Sequence, residues 1–313
     1  MKKTFVILFS LVFCGYLFAE DCPYAYLEGK KGNDIRTALS AKLKNHTVLS
    51  YNSVWASATD ADDRGDGTNN IWDMYSNCIF SKYDKCGSGE SEDDCECYNR
   101  EHSLPKSWWG GGTDEPMYTD LHHIIPTDRL ANSQRSAWPL GEVDDVQWTN
   151  GSSYLGYGTF GNNSTNLTFE PADEYKGDFA RIYFYMATCY MDKNFTQGGK
   201  GSKVFMSGTA NFNSKALDLY LEWHRNDPVS QKEIARNNKV AKKQGNRNPF
   251  VDEPELAEYI WGKKKNVAYS CNGQQGVEDI HVSEPAAQKV LKDGVLYIVR
   301  GEHVYTIQGV EVR

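Results

Sequence analysis

The chain of 313 residues is long enough for one large domain or two ordinary ones. A formal net charge of −8 excludes a protein that binds nucleic acid over its whole surface, so any site for a polyanion must be a local basic patch. Apolar residues at 40% and aromatics at 13% exclude a disordered chain and indicate a compact globule.

Met1-Lys2-Lys3 and the apolar run from Phe5 to Phe18 read as a secretory signal peptide over residues 1–19, cleaved near Ala19. Leu17 fits the −3 position poorly, so the cut can fall a residue or two away. Acylation at Cys14 is the weaker alternative, because Phe13 stands where a lipoprotein signal has a small residue. The run is too short for a comfortable membrane span, and nothing downstream resembles a second one. Export changes how the cysteines read. Cys22, Cys78, Cys86, Cys95, Cys97, Cys189 and Cys271 are expected to form disulfides with one left over, in a pairing that spacing does not fix. A thiolate zinc site on Cys78, Cys86, Cys95 and Cys97 is the weaker alternative, since the C-x-x-C pairs of such modules are missing.

In chain order, Ile35, Leu39 and Leu43 predict a helix over residues 33–50. Residues 60–70 are rich in Asp and Gly, but Arg64 stands where an EF-hand needs an oxygen ligand, so a solvated loop is expected. The acidic segment 83–96 reads as a disulfide-tied surface loop. Residues 121–125 predict a short strand closed by Pro126, and Thr127 is a plausible N-cap for a helix over 128–136. Further helices are predicted over 177–192, 213–224 and 229–242, the first buried by its Phe, Tyr and Met content. After Gly276 the pattern changes to short β-prone runs between glycine turns, which indicate hairpins in a separate appendage over residues 277–313. The fold class is α+β: a mostly helical domain over residues 20–276 and a small β-rich tail.

Glu101-His102 places a carboxylate beside an imidazole, and Asn132 returns an amide oxygen in the first turns of the helix after Pro126. Carboxylate and amide oxygens suit a hard cation, and a neutral imidazole suits activation of water. Leu104-Pro105 ends the element and holds the pair at a strand end.

These residues, with Asp120-Leu121-His122-His123-Ile124-Ile125-Pro126 and Arg135-Ser136, resemble the endonuclease I family of secreted bacterial nucleases, which carries the ββα-metal (His-Me finger) site. Outlying segments agree: Trp72-Asp73-Met74-Tyr75-Ser76, Phe169-Glu170-Pro171, Lys176 to Arg181, and Gln244 to Phe250. The resemblance covers about residues 33–262. It implies His102 as the general base and Glu101 and Asn132 as ligands of one Mg²⁺, with Ca²⁺ or Mn²⁺ as substitutes. It further implies hydrolysis of DNA and RNA phosphodiesters to 5′-phosphate ends by a monomer. The sequence departs from the family at two places. No arginine lies between Ser103 and Thr119, where some members hold the scissile phosphate, and Lys106 is the one basic residue there. Arg135 is the candidate replacement, against a reading in which it braces the helix. His123 stands where many relatives have asparagine, and is expected in the core or behind the ligands.

The densest basic run is Lys232, Arg236, Lys239, Lys242, Lys243 and Arg247, read as a patch for phosphates, with Lys243 and Arg247 nearest the site. No base-reading module is visible, so little sequence preference is expected. Ser103-Leu104-Pro105-Lys106 matches S-x-x-K of serine acyl hydrolases, but the companion motifs are absent. The more serious rival is a non-enzymatic secreted adhesin using the C-terminal β tail, which leaves Glu101-His102 and Asn132 as coincidence. The tail also loosely resembles type IX secretion sorting segments, which would attach the protein to the cell surface. A small β appendage without that role is nearly as good a reading.

Overall fold

The structure is a computed structural model that describes residues 22–87 and 93–271, and the backbone of four strands between 288 and 312. The predicted signal peptide, residues 1–19, and the glycine turns of the tail lie outside the described residues. One compact unit spans Gly29–Tyr269. The other contains the Cys22–Cys271 disulfide and an antiparallel sheet of β8 (Gln288–Lys292), β9 (Val295–Arg300), β10 (His303–Thr306) and β11 (Glu311–Val312), in the order β11-β10-β9-β8.

The larger unit is built around α4 (Lys176–Cys189), in which every residue from Gly177 to Cys189 is buried. Its aromatic and methionine content therefore reflects burial on all sides rather than one face. Helices α1 (Gly32–Leu43) and α5 (Ser214–Asn226) pack on α4. The N-terminus of α4 approaches residue 227 so closely that a Cβ on Gly177 would lie 2.1 Å from the Asp227 carbonyl oxygen, which demands glycine there.

The predicted helix over 33–50 is two helices. α1 ends at Leu43, and Ser50 caps a second, α2 (Tyr51–Ala61), its side chain accepting from Ser53 N. α2 packs on α6 (Gln231–Gln244) through Val54, Ala58, Ala61 and Val240, together with Leu121 and Ile124. A capping box on Ser230 and Glu233 starts α6, and Gly245 in the left-handed region ends it.

The segment that carries the predicted site folds as strand, strand and helix. β3 (Tyr98–His102) pairs antiparallel with β4 (Ile124–Asp128), with Arg100 opposite Pro126, Glu101 opposite Ile125 and His102 opposite Ile124. The chain then enters α3 (Arg129–Arg135). Two details differ from the sequence reading. Residues 120–123 form a turn and the strand begins at Ile124, so Pro126 lies inside it rather than closing it. A two-stranded sheet leaves every position at an edge, where proline is tolerated. The helix cap is Asp128, which accepts from Ala131 N at 2.8 Å, while the Thr127 hydroxyl donates to Asp73 at 2.6 Å.

Two small sheets complete the unit. β1 (Asn70–Ile71) pairs with β2 (Phe80–Ser81). β5 (Val143–Thr149), β6 (Tyr154–Gly158) and β7 (Thr168–Glu170) form a three-stranded meander the sequence did not announce. β5 is largely exposed, so it lacks the in–out alternation of a half-buried strand. Disulfides Cys78–Cys95 and Cys86–Cys97 tie down the acidic loop as expected, immediately before β3, and Cys189 is the free, buried cysteine among those described.

Cys78–Cys95 closes a separation of 17 residues. Replacing both cysteines by serine should lower stability by about 3 kcal/mol in urea unfolding. A midpoint unchanged from the parent would show that β3 does not depend on this tie.

Candidate active site

Alternation along β3 sorts its residues onto two faces. Glu101 points into the core and is 4% exposed, while Arg100 and His102 share the opposite, half-buried face. Both side-chain donors to Glu101 converge on one of its oxygens. Its Oε1 accepts from Arg135 at 2.7 Å and from the Tyr75 hydroxyl at 2.9 Å, and neither donor engages Oε2. Burial raises the Glu101 carboxyl to about 7, with Arg135 and Tyr75 pulling the other way.

His102 Nε2 lies 3.0 Å from the Tyr118 carbonyl oxygen. A carbonyl only accepts, so Nε2 carries the proton and Nδ1 presents the lone pair. Burial, followed by neighbouring His123, lowers the imidazole to about 3 and keeps it neutral. The Tyr118 ring also stacks on the imidazole, 5.4 Å between centroids and 14° between planes, so one residue fixes both tautomer and ring plane. Asn132, on α3, donates from Nδ2 to the Arg100 carbonyl at 3.1 Å. That bond sets the amide beside the strand next to Glu101 and leaves Oδ1 as its acceptor end. The structure thus sets Asn132 of α3 against the stretch of β3 that carries Glu101 and His102, whose side chains leave the strand on opposite faces. Two hard oxygen donors, Glu101 Oε2 and Asn132 Oδ1, suit a small divalent cation.

Arg135 does not face solvent. It is fully buried, and besides Glu101 its guanidinium donates to the carbonyls of His102 and Ser103 and to the Tyr183 hydroxyl. Burial opposes its charge, but Tyr75 and Glu101 outweigh that and hold it protonated. The expected phosphate contact is therefore corrected to a brace: Arg135 ties α3 and the end of β3 to α4.

Most of the basic run on α6 is corrected in the same way, Lys242 remaining exposed. Lys232 pairs with Asp178, and Arg236 is buried against Asp62 and the carbonyls of Leu121 and Ile124. Lys239 donates to the Asp63 carbonyl, and Lys243 pairs with Asp60 at 3.0 Å. Arg247 forms a two-pronged pair with Asp252. Lys106 alone of the predicted substrate contacts stands near His102, exposed, with its ammonium 5.7 Å from the centre of the Tyr118 ring.

The outlying segments that share in the resemblance act as supports. Asp73 accepts from Tyr75 N, Ser76 Oγ, Thr127 Oγ1 and Asp128 N, which pins the Tyr75 segment to the end of β4. Gln244 holds Asp120 and the Leu121 amide, and Asn246 holds the Tyr185 hydroxyl and, through its carbonyl, His122. His123 is buried, with Nε2 2.7 Å from the Met117 carbonyl, as a core residue behind His102. Tyr75, Tyr118 and Tyr183 were missed as site residues; only the Trp72–Ser76 motif hinted at the first.

His46, Asp120 and Cys189 also bring ligand-type atoms within 4.8 Å of one another. Asp120 already accepts from Tyr185 and Tyr190 at 2.8 Å each, from Gln244 and from the His122 amide. Burial keeps the Cys189 thiol protonated. A saturated carboxylate and a neutral thiol make this a hydrogen-bonded knot of the core.

The Endonuclease I family profile matches residues 31–255. The chain is 35% identical over 242 residues to the extracellular ribonuclease of Bacillus subtilis (strain 168), covering 77% of this chain and 78% of that protein. It is 36% identical over 245 residues to the extracellular ribonuclease of Bacillus amyloliquefaciens, covering 76% and 77%. With endonuclease-1 of Buchnera aphidicola subsp. Baizongia pistaciae it shares 30% identity over 142 residues, 44% of this chain and 47% of that protein.

The brace and the phosphate clamp differ in what their loss costs. Arg135→Met should destabilise the fold by about 3–5 kcal/mol, because it strands a buried carboxylate and several carbonyls. Equilibrium unfolding measures this; a change within about 0.5 kcal/mol, the usual range for a surface residue, would restore the solvent-facing role.

Proposed function

The chain belongs to the endonuclease I family, and from that premise we propose that it is an exported, metal-dependent endonuclease hydrolysing RNA and DNA with little sequence preference. The observation that carries the proposal is the meeting of Glu101 Oε1 with Arg135, His102 Nε2 with the Tyr118 carbonyl, and Asn132 Nδ2 with the Arg100 carbonyl. Each side chain is held by one end and presents the other. The names of the two Bacillus relatives favour RNA as a substrate. The described disulfides and the extracellular naming of those relatives favour export, in keeping with a signal peptide over residues 1–19. No described helix is long and apolar enough to cross a membrane.

In this reading His102 Nδ1 accepts a proton from the attacking water, while Tyr118 holds the ring in the tautomer that leaves Nδ1 bare. Glu101 Oε2 and Asn132 Oδ1 would hold Mg²⁺, or Mn²⁺ or Ca²⁺ in its place. When bound, the ion supplies charge stabilisation to the phosphate and to the departing 3′ oxygen, with 5′-phosphate ends as the product. Arg135 and Tyr75 keep the Glu101 carboxylate oriented without occupying its second oxygen. A monomer suffices, since base and ligands all lie on β3 and α3 of one chain. The nuclease domain predicted over residues 20–276 has the compact unit Gly29–Tyr269 as its body, and attachment of the later strands to a cell surface is no part of this proposal.

His102→Ala should lower cleavage of RNA and of plasmid DNA by about 10²- to 10⁴-fold while leaving the unfolding midpoint near that of the parent. EDTA should stop the native enzyme. Full activity in either case would remove the mechanism.

The pH profile separates the two titrating groups. Because the His102 pKa is lowered to about 3, the imidazole is unprotonated and competent throughout pH 5–8. Glu101, raised to about 7, binds a proton in competition with the cation as pH falls below that value. The acid limb of activity should therefore move to lower pH as the magnesium concentration is raised. A limb fixed near the ordinary histidine value of about 6.5 at every concentration would assign it to His102 instead.

A further inference from the structure

Several positive side chains lie within 4.0 Å of a carboxylate, among them Lys232, Arg236 and Lys243 of α6, and Arg181, Arg225 and Lys176 elsewhere. Lys85, Arg100 and Lys106 form no such ion pair among the described residues, and instead lie over aromatic rings. The Lys85 ammonium sits 4.1 Å from the centre of Trp55. The Arg100 guanidinium lies 4.2 Å from Trp55 and 3.8 Å from Tyr51. Tyr51 stacks on Tyr118 at 4.8 Å and 14°, Lys106 lies over Tyr118, and Tyr118 stacks on His102. Cations and rings thus alternate in a continuous row that ends at the general base.

The row is accessible. Tyr51 is 42% exposed, Lys85 and Lys106 are exposed, and Trp55, Arg100 and Tyr118 are half-buried. Cations left without carboxylates suit phosphates, and rings within reach of them suit bases. A duplex turns its bases inward and could use only the cations. An unpaired strand could use both, each base displacing a cationic head from a ring face toward the neighbouring phosphate.

We propose that Tyr51, Trp55 and Tyr118, interleaved with Lys85, Arg100 and Lys106, form a track that binds an unpaired nucleic-acid strand and feeds its phosphodiester to His102. The proposal rests on the nuclease reading and deepens it by naming the strand state of the substrate. Arg100 supplies a positive group on the His102 face of β3, where the sequence left the phosphate without an arginine.

The test measures binding, by fluorescence anisotropy, of a labelled single-stranded oligonucleotide and of its duplex to the His102→Ala protein. The single strand should bind about tenfold or more tightly than the duplex. Tyr51→Ala and Trp55→Ala should each weaken single-strand binding by about tenfold and barely affect the duplex. Tyr51→Phe, which keeps the ring, should bind as the parent does, and this guards against a loss caused by damage to α2. Arg100→Gln should reduce the slope of log affinity against log salt by about one contact. Equal affinity for the two forms, or single-strand binding untouched by loss of both rings, overturns the track. Cleavage by the native enzyme is assayed alongside. If it cleaves while the ring variants bind normally, only the track fails; if it neither binds nor cleaves, the nuclease reading fails with it.

Discussion

The buried contact between Arg135 and Glu101 holds the site together. Removing a guanidinium and a carboxylate from water is costly, and the hydrogen bonds the two groups make must offset that cost. Here the arginine also gathers the carbonyls of His102 and Ser103 and the Tyr183 hydroxyl, so one side chain joins α3, the end of β3 and α4. The remaining donor to Glu101 is Tyr75, whose own segment is pinned by Asp73 to the end of β4. The carboxylate is thereby held from the inside, which frees its second oxygen for chemistry. Tyr118 does the corresponding work for His102, through a carbonyl on one ring nitrogen and a stacked ring.

Charge pairing explains why an acidic protein can serve a polyanion. Asp60, Asp62, Asp178 and Asp252 pair with Lys243, Arg236, Lys232 and Arg247, which neutralises much of the charge on α6 and its C-terminal turn. Arg100 on β3, Lys85 in the segment before it and Lys106 in the loop after it lie over aromatic rings instead.

Much of this was legible in the sequence, for identifiable reasons. Glu101-His102 and Asn132 carry their chemistry in adjacent or helix-borne positions, and Asn132 is held against the strand of the other two through the Arg100 carbonyl. The helices predicted over 177–192, 213–224 and 229–242 are present, the first legible in its apolar content, and their caps at Asn213 and Ser230 emerge only in the structure. Long-range partners left no such mark. Arg135 reads the same in sequence whether it faces solvent or core, and only the positions of Ser103 and Tyr183 decide. The lysines of α6 have helical spacing that suggests a basic face, but their acids come from α2, the following loop and α4. The β5–β7 meander escaped because its first strand is exposed and because Gly156 and Gly158 interrupt the second. A Cβ at Gly156 would lie 2.1 Å from the Asp145 carbonyl oxygen, so backbone proximity rather than strand propensity chose the residue.

The alternation along β3 has a consequence for how this segment can change. Arg100, Glu101 and His102 occupy outer, inner and outer faces in turn. A single inserted or deleted residue between Cys97 and Glu101 would exchange those faces, turning the carboxylate to solvent and burying two basic groups. The connection from Lys106 to Thr119 carries no such constraint along most of its length, because it leaves and re-enters the sheet through turns. Length variation should therefore be permitted between Gly110 and Glu115, outside the two short helices of that connection, and forbidden in the five residues of β3. The covalent ties at Cys95 and Cys97 act as a ruler that fixes where the count begins.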